Sequence, residues 1–221
     1  MADPAAAAVR ERPILFSGRL VRGLLEGRKS VTRRVINPQP TEKWGHGVHQ
    51  SDGRFYVHGR FDGIDTWFAC PYGAPGDRLW VRETHHYLDA RADWSQPPQV
   101  GWLPVHLTFQ ADDTMRTVEA PAEDWTESWC NDHIRWRPSI HLHRWASRIS
   151  LEVTEVRVER LQDITDEEAI AEGVPTRGTT HWAGKWRDEF HQLWDELNAA
   201  RGYGWDANPW VWVIRFRKVD P

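Results

Sequence analysis

The chain has 221 residues, of which 40% are hydrophobic and 27% are charged, and its formal net charge is −4. This composition is typical of a globular domain that can bury a core without disulfides, and it excludes an intrinsically disordered chain. The negative net charge excludes a general attraction of the whole molecule to nucleic acid, so such a partner would need a local basic patch.

Cysteine content and hydropathy bear on the location of the protein. The two cysteines, Cys70 and Cys130, are too few for a disulfide framework or a cysteine-rich zinc site, so reducing surroundings are expected. No stretch reaches the ~18 continuous apolar residues of a spanning helix, and residues 1–13 lack the pattern of a signal peptide. We therefore expect a cytoplasmic protein with no membrane partner.

The first third of the chain predicts one helix, one strand and an insertion. Residues 1–12 are small and polar, and a flexible N-terminus is expected there. Apolar residues recur at helical spacing from 20 to 25 and Gly27 follows, which predicts a short helix that ends before Lys29. Residues 41–75 have weak periodicity and predict an inserted hairpin or loop, and the alternation that follows predicts a strand at 78–84.

The rest of the chain predicts a second insertion followed by strands and helices. Residues 86–147 form this insertion, with one strand at 104–110. Residues 148–161 predict a bent strand, which leads into a helix capped by Asp163 or Thr165 and ended by Gly173. A helix at 184–199 and a buried central strand at 210–216 complete the pattern. The prediction is a single mainly β, α+β domain over residues 13–219.

Two basic clusters stand out against the negative total. Between Arg19 and Arg34, six basic residues face the single acid Glu26, a local charge of 6 − 1 = +5. The second cluster has no acid between residues 133 and 148 and contains Arg135, Arg137, His141, His143, Arg144 and Arg148, interleaved with Trp136 and Trp145. Arginine matches phosphate, and basic residues beside aromatics suit single-stranded nucleic acid. A solvated basic surface explains the first cluster equally well, and chance clustering the second.

Other site patterns are weak. The chain has 15 tryptophans, which suit either an aromatic core or a platform for stacked bases. The pairs His85-His86 and His141-x-His143 lack further ligands at a familiar spacing, so no metal site is predicted. The sequence has no phosphate-binding P-loop, dinucleotide glycine fingerprint or nucleophile elbow, and no cofactor is predicted.

The segment Gly27-x-Lys29-x-x-Thr32-x-Arg34 resembles the Gly-x-Lys-x-x-(Glu or Thr)-x-Arg signature of the ASCH domain family. Further stretches, which run from residue 13 to 219, resemble the long, phage-associated branch of that family: Cys70–Gly73, Pro75–Glu83, Trp136–Ile140 and Asn208–Trp212. The resemblance implies a PUA-like, partly open β-barrel flanked by short helices, with two large insertions. It also implies a cleft that accepts a modified nucleoside or RNA.

The resemblance further implies a reaction. A compact bacterial member of the family hydrolyses the amide of N4-acetylcytidine, and its catalytic Lys, Thr and Glu correspond to Lys29, Thr32 and Glu172. In such a triad Thr32 would supply the nucleophile and Lys29 the base, with a pKa lowered by like charges and partial burial, while Glu172 shuttles the proton. The candidate nucleoside- or RNA-binding residues are Arg28, Arg33, Arg34, Glu83, Arg144 and Trp145.

Two alternatives remain open from the sequence. Lys29 and Glu172 would also be explained as an ion pair that closes the barrel, with Thr32 an ordinary strand residue. The chain would then be a non-catalytic module that binds RNA or a modified nucleobase. A related alternative is a weak metal-independent ribonuclease that uses Lys29 as acid or base. No protein partner is predicted, and the insertions put the identity of the substrate in doubt because loops of this kind control entry to a cleft.

Overall fold

The computed structural model describes residues 9–40, 48–51, 54–61, 64–89, 101–124, 135–174 and 185–220. These residues form more strands than helices, so the prediction of a mainly β, α+β fold is confirmed. None of the helices in these ranges is long and apolar enough to cross a membrane.

The strands form three sheets. The strands are β1 (Glu11–Leu15), β2 (Val31–Val35), β3 (Val48–Ser51), β4 (Arg54–Phe61), β5 (Ile64–Ala69), β6 (Arg78–Arg82), β7 (His85–Asp89), β8 (Trp102–Phe109), β9 (Met115–Pro121), β10 (Ser150–Arg160) and β11 (Trp210–Val219). The largest sheet has the order β1-β6-β10-β11-β2, and the other two have the orders β3-β4-β5 and β7-β8-β9. The α-helices are α1 (Gly18–Leu25), α2 (Asp166–Ala171) and α3 (Lys185–Asn198).

The chain divides into two compact units. The first comprises Met1–Arg12, Gly23–Leu79 and Leu151–Val219, and the second comprises Pro13–Arg22, Trp80–Ser150 and Asp220–Pro221. The predicted insertion at 41–75 belongs to the first unit, and the one at 86–147 belongs to the second.

The core of the first unit lies between β2, β11 and the helices α2 and α3. Helix α3 buries four apolar side chains at helical spacing: Trp186, Phe190, Leu193 and Trp194. Three of them, all but Leu193, join a cluster with Val31 of β2 and with Val211 and Val213 of β11. Strands β11 and β2 are antiparallel, and Ile214 pairs with Thr32. This packing fixes the position of the segment that follows Lys29.

The core of the second unit lies on one face of the β7-β8-β9 sheet. In β8 the alternate residues Val105, Leu107 and Phe109 are fully buried, as the period of two in a half-buried strand requires. Leu142 and Ala146, from the segment that precedes β10, complete the same cluster. Leu142 and Ala146 therefore hold this segment against the sheet, while Arg135, His141 and His143 are exposed.

Most of the predicted elements are present, with differences in the insertions. Helix α1, α2 with its Thr165 cap, α3, and the strands β6, β8, β10 and β11 lie where the sequence predicts them. The hairpin expected in the first insertion is a three-stranded sheet, and β7 and β9 in the second insertion were not predicted. Strand β1 begins at Glu11, which lies within the N-terminal segment that was expected to be flexible.

Candidate functional site

Lys29 reaches its position through the turn after α1. Gly27 has a φ of 73°, in the left-handed region that glycine adopts without strain, and it ends the helix as the sequence predicts. The backbone N–H of Lys29 then bonds to the carbonyl of Gly23 at 3.0 Å. Lys29 forms an isolated antiparallel bridge with Glu172, so the two residues are joined by their backbones as well as by their side chains.

Glu172 is placed by the C-terminal end of α2. The helix begins at the Thr165 cap, whose hydroxyl accepts a hydrogen bond from the Glu168 N–H at 3.3 Å, and Glu172 is the C-cap. Gly173 follows with a φ of 89°. A Cβ atom on Gly173 would lie 3.2 Å from the Lys29 Cβ, so a side chain at this position would crowd Lys29. Glycine is therefore required at position 173, both by the positive φ and by the close contact with Lys29.

The Lys29 amine is fully buried and its three protons all have acceptors. Nζ donates to Oε2 of Glu172 at 2.8 Å, to the Glu172 carbonyl at 2.9 Å and to the Val31 carbonyl at 2.7 Å. Its side chain has no solvent exposure. Burial lowers the pKa of Lys29, against the opposing effect of the Glu172 carboxylate, and Arg34 and Arg33 lower it further. A lowered pKa agrees with what the sequence predicts for Lys29, although its largest cause is burial and not the neighbouring positive charges.

Arg33 is surrounded by carboxylates. Its side chain has no exposure, and it donates to Glu172 Oε1 at 3.4 Å and also to Glu159 and Glu168. Arg157 is partly exposed and bonds to the same Glu159 and Glu168. The structure thus gives Arg33 three internal carboxylate partners, which were not foreseen because these acids lie far along the chain. Its role in nucleoside or RNA binding stays a prediction.

Thr32 is next to this network but not joined to it. Its side chain is 3% exposed, and it leaves β2 on the side opposite to Val31 and Arg33, because side chains alternate along a strand. No hydrogen bond joins its hydroxyl to Lys29 or Glu172 in the described part of the chain. The Lys29 Nζ nevertheless lies at the Val31 carbonyl, which is the peptide group shared with Thr32.

Two further arginines of the first cluster, Arg28 and Arg34, lie in different surroundings. Arg28 donates to the Gly173 carbonyl at 3.0 Å and to Glu26 Oε2 at 2.6 Å, and its side chain is 32% exposed. The Arg34 guanidinium lies 6.0 Å from the centre of the Tyr72 ring. Arg28 therefore contacts the turn that carries Glu172, while Arg34 is on the same side of β2 as Thr32.

In the second unit, Glu83 is the counter-ion of Arg148. Nε and Nη2 of Arg148 bond to the two Glu83 oxygens at 3.0 and 2.8 Å, and Asp112 accepts two further bonds from the same guanidinium. Burial raises the pKa of Glu83, against the effect of Arg148. Burial also acts to raise the pKa of Asp112, but its bonds to Arg148 and Thr114 outweigh burial and lower it to about 2. Arg148 is therefore neutralised within the unit.

A second group of the predicted basic residues lines a pocket of the second unit, with a volume of about 430 Å³. Its walls include Trp80, Arg82, Arg137, His141, His143 and Arg144. Trp145 is outside this wall. Its Nε1 donates to Asp124 at 2.7 Å, and its ring stacks on His143 with 5.5 Å between the centroids. Trp80 and Arg82 were not predicted as site residues, although their i, i+2 spacing in a strand places them on one face.

The histidine pairs have no metal-binding group around them among the residues that the structure describes. His85 is fully buried, its Nδ1 lies 2.9 Å from the Glu83 carbonyl, and burial lowers its pKa to about 4. Within the ranges that the structure describes, no three His, Cys, Asp or Glu side chains are grouped so that they could hold a metal ion.

We compared the chain with models of known protein families, with curated proteins and with solved structures, and none of the three comparisons gave a match. The resemblance to ASCH domains, and with it the PUA-like barrel, stays a prediction from the motifs quoted above.

Proposed function

We propose that this chain is an amidohydrolase that acts on N4-acylated cytidine or a related modified nucleoside, with Lys29, Thr32 and Glu172 in a PUA-like cleft. The observation that carries the proposal is the buried contact between Lys29 Nζ and Glu172 Oε2 at 2.8 Å, which joins residues 143 positions apart. A buried group whose pKa is shifted and that contacts a specific charged partner, as Lys29 does here, is common at active sites. The motif resemblance supplies the reaction.

The proposed chemistry begins with a proton transfer inside the pair. Lys29 gives a proton to Glu172, because burial favours a neutral amine over a separated charge. The amine then turns from the Val31 carbonyl towards Thr32 and accepts the hydroxyl proton, while Oγ attacks the acyl carbonyl carbon. Glu172 returns its proton to the cytosine N4 as the C–N bond breaks, which leaves cytidine and an acyl ester on Thr32.

The second half of the reaction releases the acyl group. Water adds to the ester carbonyl carbon as its proton passes to the Glu172 carboxylate, and the C–Oγ bond to Thr32 then breaks as Oγ takes back the proton held by Lys29. Transfer of the Glu172 proton to the Lys29 amine restores the starting pair. The products are a carboxylic acid and the free hydroxyl. Arg33 contacts the other oxygen of Glu172 and holds this carboxyl group in place beside Lys29.

The test is cytidine release from N4-acetylcytidine, followed by chromatography for the wild type and two variants of Thr32. Thr32→Val keeps the volume and branching but removes the hydroxyl, whereas Thr32→Ser keeps the hydroxyl. We expect release by the wild type and by Thr32→Ser and none by Thr32→Val. Equal release by the wild type and Thr32→Val would refute the proposal.

The saturated hydrogen bonding of Lys29 favours a second candidate, a module that binds a modified nucleobase or RNA without reaction. In this arrangement the pair is a fixed ion pair, and the ligand is held without proton transfer. This candidate predicts that calorimetry detects binding of N4-acetylcytidine while no cytidine appears. Cleavage of an RNA oligonucleotide in the presence of a chelator would instead support a metal-independent ribonuclease.

A further inference from the structure

Arg33 links the buried pair of Lys29 and Glu172 to a larger set of charges. Its Nη1 contacts Oε1 of Glu172 at 3.4 Å, while Lys29 Nζ holds Oε2 at 2.8 Å. Its Nη2 donates to two more carboxylates, those of Glu159 in β10 and Glu168 in α2. Because the Arg33 side chain has no solvent exposure, these carboxylates and not water balance its charge.

Glu168 lies between Arg33 and the surface of the first unit. Its Oε2 accepts from Arg33 and its Oε1 from Arg157, and its side chain is 17% exposed. The Arg157 side chain is 28% exposed, and its Nε also bonds to Glu159 at 3.1 Å. The sign of the charge therefore alternates at each step from the buried amine to the surface.

The position of the Arg33 guanidinium is fixed by the elements around it. The Glu172 N–H bonds to the Glu168 carbonyl at 2.9 Å, so one helical turn joins two of the carboxylates that Arg33 contacts. From α3, the centre of the Phe190 ring lies 5.9 Å from Cζ of Arg33. A change of charge at Glu168 is therefore passed on through a group that is held in place.

Three further charges lie near this chain. Arg34 of β2 acts on Lys29 together with Arg33. Arg215 of β11 lies 3.8 Å from Oε1 of Glu168 and bonds to Glu155 at 3.2 Å. The side chains of Arg215 and Glu155 are more exposed than that of Glu168, so water and salt screen their charges more strongly.

We propose that Glu168 is a positioning residue for the Lys29–Glu172 pair. It acts through Arg33, because removal of the Glu168 charge lets the positive charge of Arg33 act more strongly on the pair. Removal of the Arg157 charge has the opposite effect, since Arg157 binds the same carboxylate from the outer side. The effect on the reaction rests on the proposed function, whereas the effect on Lys29 is measurable without turnover.

The first measurement is the pKa of Lys29 in the full-length protein, followed by NMR with isotope-labelled lysine. The signals of Lys43, Lys185 and Lys218 are identified by single replacement with arginine, which leaves the signal of Lys29. This titration reports on the buried pair whether or not the protein hydrolyses a nucleoside.

We expect Glu168→Gln to lower the pKa of Lys29, because a negative charge near the amine is lost. The expected change is roughly 0.3–1 pH unit, the effect of one charge about 10 Å away at an effective dielectric constant between about 80 and 20. Glu159→Gln removes the other carboxylate on the same nitrogen of Arg33 and should act in the same direction. Arg157→Gln should raise the pKa of Lys29.

Glu167→Gln is the matched control, because Glu167 is exposed on the same helix and its replacement should leave the pKa of Lys29 unchanged. Loosened packing would instead admit water and raise this pKa in Glu168→Gln and in Arg157→Gln alike. Changes of the same sign in these two variants, or changes no larger than that of Glu167→Gln, would overturn the inference.

The second measurement is the pH dependence of cytidine release from N4-acetylcytidine. The alkaline limb, on which the pair loses its shared proton, should move to lower pH in Glu168→Gln and to higher pH in Arg157→Gln. A purely structural role would lower kcat at every pH, so a limb that stays in place would overturn the role of Glu168 in the reaction. If the wild type releases no cytidine, the proposed reaction is refuted, and the titration of Lys29 alone decides whether Glu168 acts on the pair.

Discussion

Replacement of Glu172 by glutamine is the sharpest probe of the buried network. Glutamine has nearly the same shape but removes the charge that faces Lys29 Nζ at 2.8 Å and Arg33 Nη1 at 3.4 Å. Lys29 would then be a buried ammonium with only neutral acceptors. Loss of one partner of a buried pair costs about 3–5 kcal/mol. In a chain of this size that corresponds to a fall of roughly 6–20 °C in Tm, at roughly 2–4 °C per kcal/mol.

The loss of stability in Glu172→Gln should also become smaller as the pH rises. Burial already lowers the pKa of Lys29 in the folded state, and removal of the Glu172 charge lowers it further. The unfolded chain then binds more protons than the folded one below the ordinary lysine pKa, so the stability of the variant rises with pH. The difference in unfolding free energy between the wild type and Glu172→Gln should therefore shrink as the pH is raised from about 7 to about 9.

Urea denaturation of four proteins tests this reasoning. Glu167→Gln is the matched control, because Glu167 is exposed on the same helix, and its change should stay within ~0.5 kcal/mol. Addition of Lys29→Met to Glu172→Gln removes the uncompensated ammonium, so the double variant should be more stable than Glu172→Gln alone. A Glu172→Gln variant as stable as Glu167→Gln, or a cost that does not change with pH, would refute the description of Lys29 as a charged, buried partner.

Two further predictions concern the glycine beside Lys29 and the acid beside Arg148. Gly173→Ala and Gly27→Ala both place a Cβ at a positive φ, which costs about 1–2 kcal/mol of stability. Because only the Cβ at position 173 meets Lys29, denaturation should show a larger loss of stability for Gly173→Ala. A larger loss for Gly27→Ala would contradict the packing of Gly173 against Lys29. The pKa of Asp112 is lowered from 3.8 to about 2, so its contribution to the stability of the fold is present above pH ~4 and is lost as the pH falls through ~2. The difference in stability between the wild type and Asp112→Asn should therefore close over that range. Glu119→Gln, at an exposed site, should show no such difference.

The elements with strong periodicity were predictable from sequence. Helix α3 shows its buried face in the spacing of Trp186, Phe190 and Trp194, and the apolar run of β11 matches a strand with neighbours on both sides. The insertions were not predictable to the same degree. The core of the second unit is completed by Leu142 and Ala146, which lie more than twenty residues after β9, so the burial that selects its strands is not visible in any local window.

The candidate site was likewise predictable only in part. The turn at Gly27 and the cap at Thr165 follow from local signals, and they place Lys29 and Glu172 at the ends of two short helices. Their pairing was predicted from the family motif and not from any local pattern. The partners of Arg33 could not be foreseen, because Glu159 and Glu168 are 126 and 135 positions away. Sequence neighbours gave that arginine a basic environment, whereas its spatial neighbours are acidic.

The same reversal is found in both basic clusters of the sequence. In the first, the buried cations Lys29 and Arg33 are matched by carboxylates from β10 and from the C-terminal end of α2, so their charge helps to hold the first unit together. In the second, Arg148 is matched in the same way by Glu83 and Asp112. Removal of one partner of such a pair leaves an uncompensated buried charge, so these carboxylates are needed for folding. A run of basic residues in a sequence therefore marks a binding surface only where the fold brings no acids to it, and at Lys29, Arg33 and Arg148 the fold does bring them.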